Sequence, residues 1–524
     1  MTKPISFGEL DFQIVASMGQ SRRLSDPEPL FRILIMGDFS GRSNRGLFDP
    51  AAALVKRRIL SVDRDNLDEI MQRMGVEIRL PLVGEADTPA LLRLTELDDF
   101  HPDQLCSHLA LFKEIKEARK KLRDPVFFTK TAAQLQKKGT DSALPAKGED
   151  SEESLGKLVQ QTTADLLDQI MDDAQGSAPR TASKPATSEW DSFLERIVQP
   201  HLVPDIDQSQ REILAAVDSA MGELMRAILH YPDFQELEAL WRGLHFLVSR
   251  TETDDQLKLY LLDISKAELA ADLGSSDDLR TTGTYRLLVE QTVETPGADP
   301  WALLAGAYTF GDNVEGLEML GRMAKIARAA NAPFIAAAGE GLPGCGQVAA
   351  AAGLEHRDTA INAEIHGAWE ALRKMPESAF LGLALPRFLL RLPYGEDTDP
   401  IERFAFEEMD PPPVHDQYLW GNPAFACACL LAQSFSEYGW EMRPGIIQDM
   451  AGLPLHVYKE QGESKTKPCA EVLLTETVAE ALLGKGLMPL LSFVNRDTVR
   501  LARFHSIADP PASLAGPWER VSNQ

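Results

Sequence analysis

The segment best suited to cofactor chemistry is the glycine-rich run Gly339-Glu340-Gly341-Leu342-Pro343-Gly344. Its G-x-G-x-x-G spacing is typical of loops that bring the backbone close to a dinucleotide pyrophosphate, and Asp358 lies near the distance expected of a ribose-binding acid. However, Glu340 would put a negative charge among the phosphate-binding amides, and Pro343 removes one amide donor. We therefore expect a structural turn. A nucleotide-binding α/β enzyme is kept as a remote alternative, which requires nucleotide binding that is lost in Gly341→Asp.

A second group of polar residues, Asp98, Asp99 and His101, could form a metal or acid–base site. Pro102 favours a different interpretation, because proline suits the first turn of a helix and acidic residues suit its positive end. We expect a helix start here. The sequence predicts no catalytic residue, no cofactor and no metal site.

Two further patterns are also interpreted as structural. The predicted strand Phe31–Met36 ends in a turn containing Asp38 and Ser40, but this turn lacks the lysine of a P-loop and the spacing of a nucleophile elbow. The cysteines are odd in number and scattered, which favours reduced, buried thiols over disulfides or a zinc site. They are Cys106, Cys345, Cys427, Cys429 and Cys469.

Composition limits the functional class. The 524 residues are 44% hydrophobic and 25% charged, as in soluble globular proteins of two or three domains. The net charge of −26 argues against nucleic-acid binding and against anionic membranes, since both require a positive field. No apolar run approaches membrane-spanning length, and the first residues have no signal-like apolar core. We expect a cytoplasmic protein without membrane insertion.

The chain is organised around a helix that leads into a strand, residues 228–265. Phe234, Leu237 and Trp241 belong to one apolar helical face, and Pro232 suits the first turn. Residues 257–261 then alternate between apolar and polar, as in a half-buried strand. Farther on, strand, helix and strand patterns over 302–338 predict a parallel α/β unit. The predicted fold class is α/β (α+β), multi-domain, with mixed sheets flanked by helices.

Arg387 and Arg391 lie in the apolar segment 380–393. An unpaired buried arginine is very costly, so each is expected to meet a carboxylate or a chain end, in the same chain or in a neighbour.

Residues 135–190 are rich in Gly, Ser, Pro and charge, and are predicted to be a flexible linker. An amphipathic helix at about 155–173 interrupts it. Its apolar stripe includes Leu166, Leu167, Ile170 and Met171. This helix either docks on its own domain or serves as a peptide ligand for a groove. The predicted domains are therefore 1–134, the linker 135–190, and 191–515.

Several motifs of the second half resemble the large sheath subunit of type VI secretion systems, TssC or VipB. They are H-Y-P-D-F-Q-E-L-E-A-L-W-R-G-L with Trp241 and Arg242, L-P-R-F-L-L-R-L-P-Y-G with Arg387 and Arg391, and Y-L-W-G-N with Trp420. The first half resembles the small sheath subunit, TssB or VipA. Its motifs are F-R-I-L-I-M-G-D-F-S-G-R with Asp38 and Ser40, V-D-R-D-N-L with Asp65, and L-D-D-F-H-P-D with His101 and Pro102.

The resemblance implies a sheath-type fold and a structural, non-enzymatic role. In that family the two subunits pair, and the pairs assemble into a contractile sheath around an Hcp tube. The sheath contracts against a baseplate and is recycled by the ATPase ClpV. The implied partners are other sheath subunits or further copies of this chain, an Hcp-type tube, a baseplate and a ClpV-type ATPase. The last would bind through Leu166, Leu167, Ile170 and Met171.

The resemblance departs at the C-terminus. The chain ends at Gln524, soon after Arg503-Phe504-His505, whereas the family's large subunit continues with a section that interlocks neighbouring subunits. This difference keeps a second hypothesis open, a sheath-derived accessory that does not contract, such as a terminator or a baseplate adaptor. The two hypotheses differ in whether the purified protein forms tubes.

Overall fold

The structure is a computed structural model of the chain. It describes residues 6–10, 29–83, 89–123, 206–311, 313–339, 341–342, 345 and 363–521. We call the described part of 6–123 the N-terminal module and the described part of 206–521 the C-terminal module. The predicted linker and its amphipathic helix lie outside the described residues, so the domain boundaries at 134 and 190 stay predictions.

The strands are β1 Phe31–Gly37, β2 Leu60–Val62, β3 Val76–Val83, β4 Pro89–Leu94, β5 Leu257–Asp263, β6 Leu303–Phe310, β7 Phe334–Ala338, β8 Leu381–Leu385, β9 Phe388–Leu389, β10 Trp420–Gly421, β11 Asp449–Met450, β12 His456–Glu460, β13 Glu463–Lys467, β14 Leu487–Ser492 and β15 Val499–Leu501. The helices are α1 Arg42–Arg45, α2 Ala51–Leu54, α3 Leu67–Met74, α4 Pro102–His108, α5 Ala110–Arg123, α6 Ile206–Leu229, α7 Pro232–Arg250, α8 Lys266–Gly274, α9 Gly283–Tyr285, α10 Val314–Ala330, α11 Ala363–Arg373, α12 Pro423–Tyr438 and α13 Glu476–Gly484.

One sheet of nine described strands runs through both modules, in the order β11-β15-β14-β8-β7-β6-β1-β5-β2. β1 of the N-terminal module lies between β5 and β6 of the C-terminal module and is parallel to both. The strands from β14 to β5 are parallel, whereas β2, β15 and β11 run antiparallel to their neighbours. The predicted α/β class with a mixed sheet is confirmed.

The sequence of β1 explains its central position. A strand that is covered on both faces reads as a continuous apolar run, and β1 is F-R-I-L-I-M-G. Successive side chains point to opposite faces, so Ile33 and Ile35 enter one hydrophobic core while Leu34 and Met36 enter the other. β1 therefore holds both cores together.

The organising unit forms as predicted. α7 has Pro232 in its first turn, and its apolar face, including the fully buried Trp241, packs into the first core with α12. β5 follows with the predicted alternation. The second core contains residues of α8, α10 and α11 on the opposite side of the sheet.

The rest of the N-terminal module adds to the first core. Its β3–β4 hairpin and helices α3, α4 and α5 bury apolar side chains there, among them Ile78, Phe100 and Phe112. The five cysteines are buried thiols outside any disulfide, as predicted. Burial raises the pKa of Cys427 and of Cys429, both in α12, to about 12, so neither is a reactive thiolate at neutral pH.

No helix in the described ranges combines the length and the apolar character needed to cross a membrane.

Candidate functional site at the junction of the two modules

The turn after β1 attaches the N-terminal module to the end of β5. The carboxylate of Asp38 accepts hydrogen bonds from the backbone N–H groups of Arg42 and Ser43, at 2.6 and 2.8 Å, and so caps α1. Ser40 donates from its backbone N and its Oγ to the carboxylate of Asp263, at 3.1 and 2.6 Å. Burial raises the pKa of Asp263 despite these bonds. The Ser40–Asp263 contact thus connects the turn after β1 to the end of β5.

An ionic cluster crosses the junction beside this turn. Glu268, in the first turn of α8, lies 2.9 Å from Nη2 of Arg42 and 2.9 Å from Nη2 of Arg57. Asp49 contacts the same two guanidinium groups at 2.7 and 2.6 Å. The side chain of Glu268 is 2% exposed, and that of Asp49 is 46% exposed. We call these four residues the junction cluster.

The arginines determine the charge state of Glu268. Burial alone would raise the pKa of this carboxyl, but hydrogen bonds from Arg57 and Arg42 hold it at about 2. Glu268 also accepts from the backbone N of Ser265 while Ser265 Oγ accepts from the backbone N of Glu268, which is a capping box. The carboxylate of Glu268 thus caps the start of α8 and also binds two arginines of the N-terminal module.

Trp241 of the predicted motif makes a further junction contact. Its indole Nε1 donates to the backbone oxygen of Phe39 at 2.8 Å, and the two rings meet edge to face with centroids 5.3 Å apart. Nearby, Asn44 Nδ2 donates to Asp233 at 2.6 Å. The middle of α7 therefore contacts the turn after β1, and the N-terminal end of α7 contacts α1.

Arg391 and Arg242 belong to a second ionic cluster, inside the C-terminal module. Arg391 donates from Nε to Glu238 at 2.8 Å and from Nη1 to Glu408 at 2.7 Å. Arg242 donates to Glu238 at 2.7 Å. Neither carboxylate side chain is exposed. The prediction that Arg391 meets carboxylates is confirmed, and both lie in the same chain. We call these four residues the core cluster.

Two more residues complete the polar shell of Glu408. Its carboxylate accepts from the backbone N of Tyr394 at 2.8 Å, and Nε2 of His230 lies 3.4 Å away. Burial would raise the pKa of Glu408, but Arg391 and His230 lower it to about 2. This carboxyl is therefore ionised at neutral pH.

Arg387 has a carboxylate partner too, but the expectation that it is buried is wrong. Its side chain is 46% exposed, because it lies just after β8, and its Nε donates to Glu471 at 3.0 Å. His415 Nε2 lies 3.1 Å from Glu471, and Lys467 Nζ lies 3.1 Å from His415 Nδ1. Trp420 Nε1 donates to the backbone oxygen of His415 at 3.0 Å. These contacts connect the open end of the β12–β13 hairpin to the segments around Arg387 and His415.

The remaining residues of the N-terminal motifs lie at helix starts. His101 caps α4 by accepting from the backbone N of Asp103 at 3.2 Å, and Pro102 occupies the first helical position. Asp99 accepts from Thr95, and its carboxylate is 3.6 Å from His108. Within the described ranges, no group of three or more His, Cys, Asp and Glu side chains could hold a metal ion.

Asp65 lies in the turn before α3 and is exposed. Its backbone N donates to Asp63 at 2.9 Å, so the structure gives it a place in a turn.

The glycine-rich segment is described only in part. It follows β7 as predicted, Gly339 N donates to the backbone oxygen of Phe310 at 2.7 Å, and Leu342 packs over Gly311. Glu340, Pro343, Gly344 and Asp358 lie outside the described residues, as do Leu166, Leu167, Ile170 and Met171.

Sequence reasoning missed most of the ionic partners. Two local signals were available, the i, i+4 spacing of Glu238 and Arg242 and the capping-box spacing of Ser265 and Glu268. Neither signal identifies the partners from distant parts of the chain.

Comparison with known proteins identifies the family of both halves. Residues 211–508 match the VipB family, described as EvpB/VC_A0108, tail sheath N-terminal domain. Residues 22–138 match the family described as Type VI secretion system, VipA, VC_A0107 or Hcp2.

A characterised relative agrees with this assignment. The Type VI secretion system sheath protein TssC1 of Pseudomonas aeruginosa is 36% identical over 314 residues, which are 58% of this chain and 63% of the relative. The chain thus spans less than two thirds of the length of that relative. With more than half of its length matched to one family model, the chain belongs to the VipB family of tail sheath proteins, and it carries a VipA-type segment in front of its VipB-type part.

Proposed function

We propose that this chain is a structural component of a type VI secretion sheath, in which one chain supplies both the VipA-type and the VipB-type modules. The observation that carries the proposal is the position of β1, between β5 and β6 and parallel to both. A strand with partners on both edges cannot leave without exposing two rows of backbone donors and acceptors. The two modules therefore act as one building unit.

A covalent connection strengthens such pairing. A flexible linker makes the pairing of two binding partners intramolecular, with an effective concentration that is roughly millimolar for short linkers and falls as the linker lengthens, so the intramolecular pair is favoured. The unit would then assemble with further copies or with other sheath subunits. Sheath work would come from interfaces held in a strained packing that relaxes when contraction spreads.

The finer parts of the proposal concern partners and place. We assign an Hcp-type inner tube, a baseplate and a ClpV-type ATPase as partners, the last through Leu166, Leu167, Ile170 and Met171. The protein would act in the cytoplasm, without a catalytic step and without a cofactor. The family matches favour a sheath component over the accessory or the nucleotide-binding enzyme.

Electron microscopy of the purified chain, alone and with the cognate tube protein, tests assembly. We expect long tubules with a cogwheel cross-section. Monomers, dimers or single rings at high concentration would contradict the proposal and would favour the accessory.

A second experiment tests the building unit by itself. A protease site is introduced within the predicted linker, residues 135–190, and the unmodified chain serves as control. After cleavage the two halves should elute together in gel filtration, because β1 stays in the sheet. Separation of the halves at micromolar concentration would contradict the shared unit, whatever the microscopy shows.

A further inference from the structure

A crevice of about 630 Å³ opens between the two modules, at the carboxyl ends of β1 and β6. Asp38 directly follows β1, Thr309 lies near the end of β6, and the first turns of α7 form a facing wall. The volume is in the range of known ligand sites.

The sheet topology makes the carboxyl ends of β1 and β6 a favourable position for a ligand. α7 leads into β5 on one face of the sheet, whereas α8 leaves β5 towards β6 on the other face, and β1 lies between β5 and β6. In open parallel sheets, ligands bind outside the carboxyl ends of the strands. The helices that follow β5 and β6, α8 and α10, both pack on the second core, and the crevice lies at this carboxyl edge beside the first turns of α7.

One wall of the crevice is apolar and aromatic. Tyr418, Leu419 and Trp420 line it, together with Leu240 and Phe425. Lys467 Nζ already lies 5.3 Å from the ring centroid of Tyr418 and 5.4 Å from that of Trp420. The wall therefore offers apolar surface, which accommodates the aliphatic stem of a long basic side chain.

The lining also includes carboxylates, of which two have roles inside the protein. Asp38 caps α1, and Asp233 accepts from Asn44. Among the described residues, none donates a hydrogen bond to the carboxylate of Glu236. This residue lines the crevice and is exposed to solvent. The reduced hydration of the crevice, followed by the charges of Asp233 and Asp38, raises the pKa of Glu236. An external cation would relieve this repulsion.

Two basic residues, Arg387 and Lys266, also line the crevice and offset part of this negative charge, and the charge of Arg387 opposes the rise in the pKa of Glu236. Arg387 is held by Glu471, and Lys266 Nζ donates to the backbone oxygen of Thr309. A fourth carboxylate, Asp416, is exposed on the rim beside the aromatic wall. The crevice thus combines an excess of carboxylates with an aromatic surface.

We propose that this crevice binds an arginine or lysine side chain carried on an extended segment of a partner protein. The cation would contact Glu236, and the aliphatic stem would lie along Tyr418 and Trp420. The crevice is larger than one side chain, which leaves room for the backbone on either side. The inference concerns a single copy of the chain, so it holds whether or not the chain assembles into a sheath.

The test measures binding of the fluorescein-labelled peptide Gly-Ser-Arg-Ser-Gly to the full chain by anisotropy at low ionic strength. Its analogue with Gln in place of Arg is the ligand control. Glu236→Gln removes the charge at nearly constant shape, and Glu480→Gln is the matched protein control. Glu480 is exposed and, like Glu236 in α7, is the fifth residue of its helix, α13.

We expect saturable binding of the arginine peptide, at least tenfold weaker binding of the glutamine peptide, and a loss of at least tenfold in Glu236→Gln, since a charged hydrogen bond contributes about that factor. Glu480→Gln should bind like the wild type. Equal binding of both peptides, or unchanged binding in Glu236→Gln, would overturn the proposal. Spermidine that binds more tightly than the peptide and displaces it would overturn the assignment to a protein segment.

A second variant guards against a folding defect. Ser43 lines the crevice, and the five native cysteines are buried, so Ser43→Cys can be labelled selectively with a bulky maleimide. The label should block the arginine peptide, whereas the unlabelled variant should bind it. Full binding to the labelled protein would contradict the proposed location.

Discussion

The junction cluster and the core cluster use the same chemistry in two different surroundings. In the core cluster, Glu238 lies between Arg242 and Arg391. In the junction cluster, Glu268 lies between Arg42 and Arg57. Both arrangements place a buried carboxylate against two guanidinium groups at hydrogen-bonding distance.

Their difference is in access to water. The junction cluster includes Asp49, which is 46% exposed, whereas both carboxylates of the core cluster, Glu238 and Glu408, are fully buried. Charges interact more strongly, and an unpaired charge costs more, where water is excluded. The core cluster should therefore fix the C-terminal module rigidly, while the junction cluster joins the modules at a smaller cost of opening.

Acid should disrupt both clusters together and give the largest effect. The folded-state pKa values of Glu268 in the junction cluster, of Glu408 in the core cluster and of Glu471 outside both are about 2, below the value of about 4.3 of an unfolded glutamate. Their contribution to stability is complete above about pH 5 and is lost as the pH falls towards 2. Urea unfolding across this range should show a steadily decreasing free energy of unfolding.

Glu268→Gln should flatten that pH dependence, and the exposed Glu480→Gln should leave it unchanged. A free energy of unfolding that stays constant between pH 5 and 3 would show that these carboxylates are not stabilised by their arginines.

Arg391→Met should give the largest effect of a single substitution at neutral pH. It leaves Glu408 with His230 and Glu238 with Arg242, in a buried place where breaking an ion pair costs about 3–5 kcal/mol. Urea unfolding measures this loss. The double variant Arg391→Met/Glu408→Met should recover part of it, because the unpaired charge is removed as well. A loss of less than 1 kcal/mol in the single variant would mean that water reaches the cluster.

Local patterns in the sequence were sufficient to predict several elements of the fold. Continuous apolar character identified β1, alternation identified β5, and Pro232 with a helical apolar face identified α7. The position of β1 between β5 and β6 could not be predicted in this way. It depends on pairing between strands more than 200 residues apart, and no local period encodes it.

The candidate site shows the same limit. The apolar setting of Arg391 correctly indicated that it needs a carboxylate, but Glu238 and Glu408 became its partners through packing of distant segments. For Arg387 the same reasoning predicted burial wrongly, because an apolar neighbourhood in sequence does not show where a strand ends. Family motifs added the identity of the modules, which no physical pattern in the chain supplies.

Glu268→Gln should have an intermediate effect and should act on the junction. It leaves Asp49 as the carboxylate that Arg42 and Arg57 share, and loss of hydrogen bonds to a charged group costs about 1–3 kcal/mol. In protein cleaved within the predicted linker, the two halves should dissociate faster than in the cleaved wild type, as measured by dilution and gel filtration. Arg391→Met should unfold the C-terminal module more easily without this selective effect on dissociation. Equal dissociation rates in cleaved Glu268→Gln and cleaved wild type would contradict a role of the cluster in the junction.

Arg500→Gln should have the smallest effect. It tests whether bidentate hydrogen-bond geometry or burial determines the strength of an ion pair. Arg500 donates to Asp449 through Nε and Nη2 at 2.6 and 2.8 Å, a bidentate geometry as good as that of either cluster. Both side chains are about half exposed, however, and water screens such pairs. We expect no measurable change in the urea midpoint, compared with clear decreases in Arg391→Met and Glu268→Gln. A decrease as large as that of Glu268→Gln would mean that bidentate geometry, and not exclusion of water, determines the strength of these ion pairs.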